Sequence, residues 1–347
     1  MRKMENVTLQ TLADQLGLHV SSVSRALNNS PQVSPATREK VKAAAEALGY
    51  RPDPMLGALA RYRKAGTRPP FRETLAWITA FPAPDTWRQL PVAPRYRQGC
   101  QTRAESLGYQ LVDYWLDPAI SGRRHADILH SRGVRGLLIA PLPDPVRTLS
   151  LPLQTFPVVA MGPTLEHPRV HRVLNDLFDN IRVAMDQLAE RGYRRPVLHL
   201  SRSTDARTRH LFISAFLGAE IAGRALQSRD VYRFDQPDTE AFLRFLQRRK
   251  ADVVIDCESG VSEACLRDAG LRVPEDIGLL TANLPTQNTR QSGLKENPEE
   301  AGAAAVDLLV SLPLQPSALP QNPRTVMVEG YWREGQSLSA IRDLSRR

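Results

Sequence analysis

The sequence predicts an all-α head followed by an α/β body of two doubly wound parallel-sheet lobes. Three short apolar stripes with helical spacing occupy residues 1–52. From Thr74 onward, short apolar runs alternate with helical stretches, which is typical of parallel sheets covered on both faces. The length of 347 residues exceeds what one hydrophobic core usually holds, so we expect more than one domain.

The composition is that of a soluble globular protein, with 42% hydrophobic and 24% charged residues. No run approaches the roughly 18 apolar residues that a membrane helix needs. A polar segment follows Arg2 and Lys3, where a signal peptide would be apolar. Cys100, Cys257 and Cys265 are few and far apart, which predicts reduced, structural thiols. We therefore expect a cytoplasmic protein that does not contact the membrane.

The positive charge is concentrated at the N-terminus. The whole chain carries a net charge of +9. Residues 1–64 hold ten Lys and Arg against five Asp and Glu, so more than half of the excess lies in under a fifth of the chain. A basic excess confined to one small segment fits a module that binds phosphates.

The head has the pattern of a helix-turn-helix. A stripe from Leu9 to Leu16 follows Thr8, a suitable N-cap, and ends at Gly17. A second stripe starts only a few residues later, at Val20, as a helix-turn-helix requires. A third helix is predicted to begin at Ser34-Pro35, with Ser as the N-cap and Pro at the first helical position.

The outward face of the second helix indicates what the head binds. It offers Ser21, Ser22, Ser24, Arg25 and Asn28. Short hydroxyl side chains allow close approach to a duplex, Arg can read guanine, and Asn can bond adenine or backbone. A merely solvated helix face is the alternative, but such faces usually carry Glu and Lys, and this one has neither.

The stretch "VTLQTLADQLGLHVSSVSRALNNSPQVSPATREKVKAAAEALGYRPD" resembles the head of the LacI family of bacterial regulators. The likeness is long, ordered and ungapped. His19 departs from it, because the family usually has Ser or Thr there. With the hinge described next, the resemblance implies DNA contacts or helix support from Thr8, Val20, Ser21, Ser22, Ser24, Arg25, Asn28, Thr37, Tyr50 and Leu59.

Residues 53–72 are predicted to form a hinge helix and linker. Asp53-Pro54 is a helix start signal, but the segment that follows is short and contains Gly57, so it should fold only against a partner. In the LacI family that partner is DNA, where paired hinge helices wedge a Leu into the minor groove, and Leu59 matches that Leu. The alternative is that Leu56 and Leu59 are ordinary linker or core residues.

Residues 73–347 form the predicted body, which the resemblance places beside periplasmic sugar-binding proteins. Lobe one is expected at about 73–165 and 290–323, and lobe two at about 166–289 and 324–347. Ligands of such folds bind beyond the carboxyl ends of the strands. By resemblance, the effector-binding residues are Asp205, Arg209, Asp256 and Asn283. Asn283 departs from the family's usual acidic pair, and each of these residues could instead have a surface or salt-bridging role.

We therefore predict a transcription regulator, a repressor that binds a near-palindromic operator in double-stranded DNA as a homodimer. A small-molecule effector, a sugar, would bind between the lobes. No catalytic motif and no pair of His residues with metal-binding spacing is found, which predicts no enzymatic activity, no metal and no cofactor. The alternatives are a stand-alone sugar-binding protein with an inert head and an enzyme with a fused DNA-binding head.

Overall fold

The computed structural model describes residues 9–27, 33–48, 73–258, 260–284, 290–313 and 318–340. The chain divides into two compact units, Met1–Pro69 and Pro70–Arg347. The first contains the head and the second contains the body.

In its described part, the head consists of α1 (Leu9–Leu16), α2 (Val20–Leu27) and α3 (Pro35–Ala47), as the three stripes predicted. Gly17 follows α1 at φ +63°, a conformation that costs glycine little. The Ser34 hydroxyl accepts a hydrogen bond from the Thr37 amide at 3.2 Å and caps α3. The core of the head is formed by Leu12, Ala13, Val23, Ala26, Val41 and Ala45.

Lobe one contains a six-stranded parallel sheet, ordered β13-β5-β4-β3-β1-β2. Its strands are β1 (Glu73–Thr79), β2 (Tyr109–Trp115), β3 (Val134–Ile139), β4 (Val158–Met161), β5 (His171–Asn175) and β13 (Thr325–Val328). Helices α4 (Ala93–Ser106) and α11 (Pro298–Val310) cover one face, and α5 (Gly122–Ser131) covers the other. Apolar side chains alternate between these two cores, as expected for a sheet buried on both faces.

Lobe two contains a second six-stranded sheet, ordered β14-β12-β11-β10-β6-β9, in which β14 is antiparallel to β12. Its strands are β6 (Pro196–Ser201), β9 (Val231–Phe234), β10 (Val253–Asp256), β11 (Gly278–Thr281), β12 (Ser292–Lys295) and β14 (Tyr331–Arg333). The helices are α6 (Leu177–Glu190), α7 (Arg202–Arg207), α8 (Leu211–Leu217), α9 (Thr239–Arg249) and α10 (Val261–Asp268). A short hairpin, β7 (Glu220–Ile221) and β8 (Arg224–Ala225), follows α8.

The chain passes between the lobes after β5, after β12 and after β13. These crossings lie close together. A Cβ atom added to Gly330, between β13 and β14, would lie 2.5 Å from Asn180 Oδ1 and 3.0 Å from the Lys295 carbonyl oxygen. Only glycine leaves room for this approach, because any side chain would overlap the neighbouring crossings.

Each crossing lies later in the chain than the predicted boundaries near 165, 289 and 323. The strand β5 was assigned to lobe two, but it pairs with β4 and β13 and belongs to lobe one. Likewise β12 belongs to lobe two and β13 to lobe one. A short buried strand carries no mark of the sheet that it joins, because only its hydrogen-bonding partners decide this. The helices α7 and α8 are separated by Arg209 and His210, both at positive φ.

Candidate effector cleft and DNA-binding head

A cavity of about 180 Å³ lies between the two lobes, beyond the carboxyl ends of β3, β4, β5 and β11. This is the place where open α/β sheets bind ligands. The residues that line it are Val92, Tyr96, Pro141, Gly162, Pro163, Thr164, Leu174, Asn175, Leu177, Arg207, Thr208, Asn283 and Glu296.

The floor of the cavity is a buried polar group at two of the crossings. The amide nitrogen of Asn175 donates to the Tyr96 hydroxyl at 2.9 Å and to Glu296 Oε2 at 2.5 Å. The Asn175 amide oxygen is also buried, and it has no hydrogen-bond partner among the described residues. An unpaired buried acceptor is costly, so this atom is suited to receive a donor from a ligand.

Arg207 connects the two lobes at the cavity wall. It ends α7 of lobe two, and its Nη1 donates to the carbonyl oxygen of Leu142 in lobe one at 3.2 Å. The same nitrogen lies 3.9 Å from Asp144 Oδ1. Arg207 therefore lines the cavity and bridges it at the same time.

Asp144 is the lobe-one partner of this bridge. Its carboxylate accepts hydrogen bonds from Ser203 of lobe two and, at 2.6 Å, from Arg147 of lobe one. Burial raises the pKa of Asp144, but the hydrogen bonds from Ser203 and Arg147 outweigh it, and the pKa is lowered overall. The ionised form of Asp144 thus holds the lobes together across the cleft.

In the head, the carbonyl oxygen of His19 accepts hydrogen bonds from the amides of Ser22 and Val23 at 2.8 and 3.2 Å, which places His19 at the N-cap of α2. Val20 is half-buried against the head core, and Ser22 is also half-buried. The Thr37 hydroxyl lies 2.8 Å from the hydroxyl of Ser34.

The side chains of the other predicted DNA contacts lie outside the described part of the head. Ser21, Ser24 and Arg25 lie within α2, where only their backbone is described. Thr8, Asn28, Tyr50 and Leu59 lie outside the described residues. The DNA-binding role of all these side chains stays a prediction.

The profile of the family described as "Bacterial regulatory proteins, lacI family" matches residues 8–53, the segment that contains the three head helices. Residues 8–53 are therefore a helix-turn-helix domain of the LacI family. The protein is a DNA-binding transcription regulator.

Relatives of this LacI-family regulator extend the likeness through the body. It is 27% identical over 323 residues to the HTH-type transcriptional regulator PtxS of Pseudomonas aeruginosa, covering 88% of each chain. It is 28% identical over 298 residues to the HTH-type transcriptional regulator CelR of Thermobifida fusca, covering 81% of this chain and 83% of CelR.

Solved structures show the same fold. A CelR–cellobiose complex superposes with a TM-score of 0.56 at 24% identity, covering 95% of this chain and 99% of that one. The lac repressor dimer bound to operator and the anti-inducer ONPF gives a TM-score of 0.54 at 19% identity, covering 96% and 100%. The two-lobed body therefore has the same fold as the bodies of these LacI-family repressors.

Of the four predicted effector-binding residues, Asn283 lines the cavity of this LacI-family regulator. Arg209 is exposed at φ +55° and directly follows the cavity residue Thr208. Asp205 is buried and lies 3.0 Å from His210 Nδ1. Asp256 is fully buried and accepts hydrogen bonds from the amides of Glu258 and Gly260 at 2.9 and 3.0 Å.

The structure brings together cavity residues that the sequence did not single out. Arg207 lies only two positions before Arg209, in the same "DARTRHLF" segment. Arg207 ends α7 and lines the cavity, whereas Arg209 follows the helix at positive φ and does not line it. Asn175 and Glu296 lie at crossings, and no local pattern marks a crossing. The sequence feature that could have pointed to Glu296 is its position directly before the helix start at Asn297-Pro298.

A serine, a histidine and an aspartate also meet in lobe two. The Ser262 hydroxyl lies 2.8 Å from His199 Nδ1, and Asp256 Oδ1 lies 3.8 Å from the same nitrogen. A catalytic triad uses the two different nitrogens of the imidazole ring, so this geometry does not relay a proton. All three residues are buried, and His199 stacks on Phe234. They belong to the core of the LacI-family body.

Metal and membrane features are absent from the described residues. They contain no group of three or more His, Cys, Asp or Glu placed to hold a metal ion. No described helix has the length and apolarity to cross a membrane. The three cysteines are free and buried. Burial raises the pKa of the Cys100 thiol to about 12, which suppresses the reactive thiolate.

Glu296 is the carboxyl group that lines the cavity. Burial raises the pKa of this carboxyl to about 7, although the hydrogen bond from Asn175 and the positive charge of Arg95 both oppose the rise. The raised pKa means that the folded protein holds the Glu296 proton more tightly than the unfolded chain does. This contribution to stability is complete below pH ~4.5 and is lost as the pH rises through about 7.

We expect Glu296→Gln to abolish this loss of stability. Between pH 5 and 8, the free energy of unfolding of the unmodified protein should fall by roughly 3 kcal/mol relative to the variant. Denaturant titrations of both proteins at each pH test this. The control is Glu299→Gln, because Arg95 lowers the pKa of Glu299, so that its contribution has the opposite sign. Parallel pH profiles for the unmodified protein and Glu296→Gln would contradict the assignment.

Proposed function

We propose that this LacI-family regulator is a repressor that binds a near-palindromic operator as a homodimer. A small carbohydrate effector bound in the cleft would lower or raise its affinity for the operator. The observation that carries the proposal is the cavity itself, which takes residues from both lobes and from two crossings. A cavity of about 180 Å³ suits a ligand of roughly monosaccharide size.

The cleft chemistry supports a hydroxyl-rich ligand. Asn175 and Asn283 offer amide groups, Thr208 offers a hydroxyl, Glu296 offers a carboxyl, and Arg207 offers guanidinium donors. Such fixed donors and acceptors, set among apolar residues, can orient a polyol. The relatives agree, since one of the similar structures is a complex of CelR with cellobiose.

The control mechanism would act through lobe closure. A ligand that contacts both Arg207 and the Asn175–Glu296 floor binds the closed arrangement better than an open one. Only such a difference in affinity can shift the equilibrium between two conformations. Couplings of this kind typically amount to ~1–3 kcal/mol.

The operator can be identified by selection from a random pool of DNA duplexes with the full chain at physiological salt. We expect recovery of sites with two-fold symmetry and a protein dimer bound to each. No preference of the protein for any sequence over random DNA, or specific binding by a single chain, would contradict the proposal.

Arg207→Ala should weaken effector binding at least about tenfold and should correspondingly raise the effector concentration needed to change operator affinity. The loss follows from the removal of hydrogen bonds from a charged group. Calorimetry with a binding sugar and anisotropy of a labelled operator measure the two affinities. The matched control is Arg202→Ala on the same helix, whose exposed side chain pairs at 3.5 Å with Asp235 and does not line the cavity. Equal effector affinity in the two variants would place the ligand elsewhere.

Other predictions of the sequence belong to the same proposal: domain boundaries at 52 and 72, the hinge with Leu59, a cytoplasmic location and the lack of enzymatic activity. The hinge lies outside the described residues. Removal of residues 1–72 should abolish operator binding and leave effector binding intact. Catalytic turnover of a bound ligand would favour the enzyme alternative.

A further inference from the structure

Arg172 is a buried cation with too few partners. It lies on β5 of lobe one and is only 7% exposed. Its Nη2 donates to the Leu165 carbonyl oxygen at 3.1 Å, whereas its Nη1 is buried and has no hydrogen-bond partner among the described residues. An uncompensated buried charge is strongly unfavourable, so this group requires an explanation.

Arg191, also buried, shows what compensation looks like in the same protein. Its side chain donates to the Gln187 carbonyl and amide oxygens at 2.9 and 2.8 Å and forms an ion pair with Glu334 at 2.5 Å. Arg172 has no ion pair with any described residue. Arg191 therefore has a carboxylate beside it, whereas Arg172 has none among the described residues.

The surroundings of Arg172 are positive rather than negative. Burial lowers the pKa of Arg172, and repulsion from Arg209 and Arg169 lowers it further. Arg209 belongs to lobe two, so positive groups from both lobes lie within electrostatic reach of each other. Within the part of the chain that the structure describes, neither Arg169 nor Arg209 forms an ion pair.

This positive cluster adjoins the effector cavity from both sides. Arg172 precedes the cavity residue Leu174 by two positions, on the same face of β5. Its partner Leu165 follows the cavity residue Thr164, and Arg209 follows Thr208. The cavity wall adds the positive charge of Arg207, and its carboxyl, Glu296, is half-neutral near pH 7.

We propose that Arg172 and Arg209 together bind an anionic group of the effector, which is therefore a sugar acid or a sugar phosphate rather than a neutral sugar. This inference rests on the proposed function of the cleft. Guanidinium groups bind carboxylate and phosphate through paired, charge-assisted hydrogen bonds. A ligand anion would relieve the repulsion between the two arginines and draw lobe two toward lobe one.

The test is calorimetric titration of the full chain with matched probes. Glucose, glucuronate and glucose 6-phosphate differ only at carbon 6, and the galactose and mannose series repeat the comparison. Inorganic phosphate serves as the minimal anion. We expect a charged probe to bind at least about tenfold more tightly than its neutral parent, with the uronate and phosphate arms distinguishing the two sources of charge.

Two variants assign the effect to these arginines. Arg209→Gln, at an exposed position, should reduce the affinity for the charged probe at least about tenfold, whereas Arg202→Gln, which removes the same charge elsewhere on lobe two, should not. Arg172→Met should lose the charged probe and yet unfold at an equal or higher denaturant concentration, because it removes an uncompensated buried charge. A merely structural arginine would not combine these two results.

The outcomes separate this inference from the proposed function. Tight binding of a neutral sugar that Arg207→Ala abolishes and Arg209→Gln leaves unchanged would overturn the anionic effector and keep the cleft. Failure of every charged probe to bind would also overturn the inference. Specific operator binding that no probe of either class alters would count against the proposed effector control as well.

Discussion

Replacing Leu12 by alanine is expected to abolish operator binding while leaving effector binding by the body intact. Leu12 lies on α1, is completely buried and belongs to the small core of the head. A buried Leu→Ala substitution costs about 2–5 kcal/mol through lost burial and the cavity left behind. A domain of about fifty residues has a total stability of only ~2–7 kcal/mol. The substitution therefore removes most or all of it.

Anisotropy of a labelled operator and calorimetry with an effector measure the two functions separately. The control is Glu46→Ala on α3, an exposed acidic position in the same head, where the change should be within about 0.5 kcal/mol. Operator affinity that survives Leu12→Ala would mean that other contacts stabilise the head. Loss of effector binding as well would contradict the division of the chain into two compact units.

Gly99→Ala is expected to destabilise lobe one by at least about 3 kcal/mol and to lower the yield of soluble protein. Gly99 lies where α4 crosses α11, and an added Cβ would lie 1.9 Å from the carbonyl oxygen of Glu299. The obstacle is backbone, so the helices themselves must separate. A Cβ atom added to Gly302 on α11 would likewise lie 2.3 Å from the Tyr96 carbonyl oxygen. Overpacking typically costs 1–3 kcal/mol, and a displaced helix pair adds to this.

Denaturant unfolding, followed by the fluorescence of the buried Trp77 and Trp87, reports on lobe one. Gly218→Ala at the end of α8 is the matched control, since its φ is −81° and an added Cβ would lie 3.3 Å from the Ser214 carbonyl oxygen. This control should change stability by less than about 1 kcal/mol. A mild effect of Gly99→Ala would show that the α4–α11 crossing can relax.

Much of the fold could be predicted because it depends on local spacing. The helices of the head follow from apolar stripes with a helical period, and strands such as β1 and β10 follow from short apolar runs. The helix α11 is less clearly marked, because its sequence is rich in small residues and gives a weaker apolar stripe. Unlike β10, the strands β12 and β14 contain no run of three apolar residues, so the sequence does not mark them as strands.

The position of the cleft could be predicted from the sequence, but most of the residues that line it could not. Its position beyond the strand ends follows from the fold class, and Asn283 was named from its place after β11. Arg209 rather than Arg207 was predicted to bind the effector, because the sequence does not show that α7 ends at Arg207 and that Arg209 and His210 follow at positive φ. Glu296 was missed because its importance arises from a partner, Asn175, that lies 121 residues away in the chain.

The sequence by itself determined the helix-turn-helix head, the α/β character of the body and the family. These depend on the order of residue types along one segment, which local physics can interpret. Only the tertiary structure decided which lobe each crossing strand joins, which arginine faces the cavity, and that Arg172 is buried without a counter-charge. Those properties depend on segments far apart in the chain meeting in space, where burial and neighbouring charges, rather than residue type, set the energy of each group.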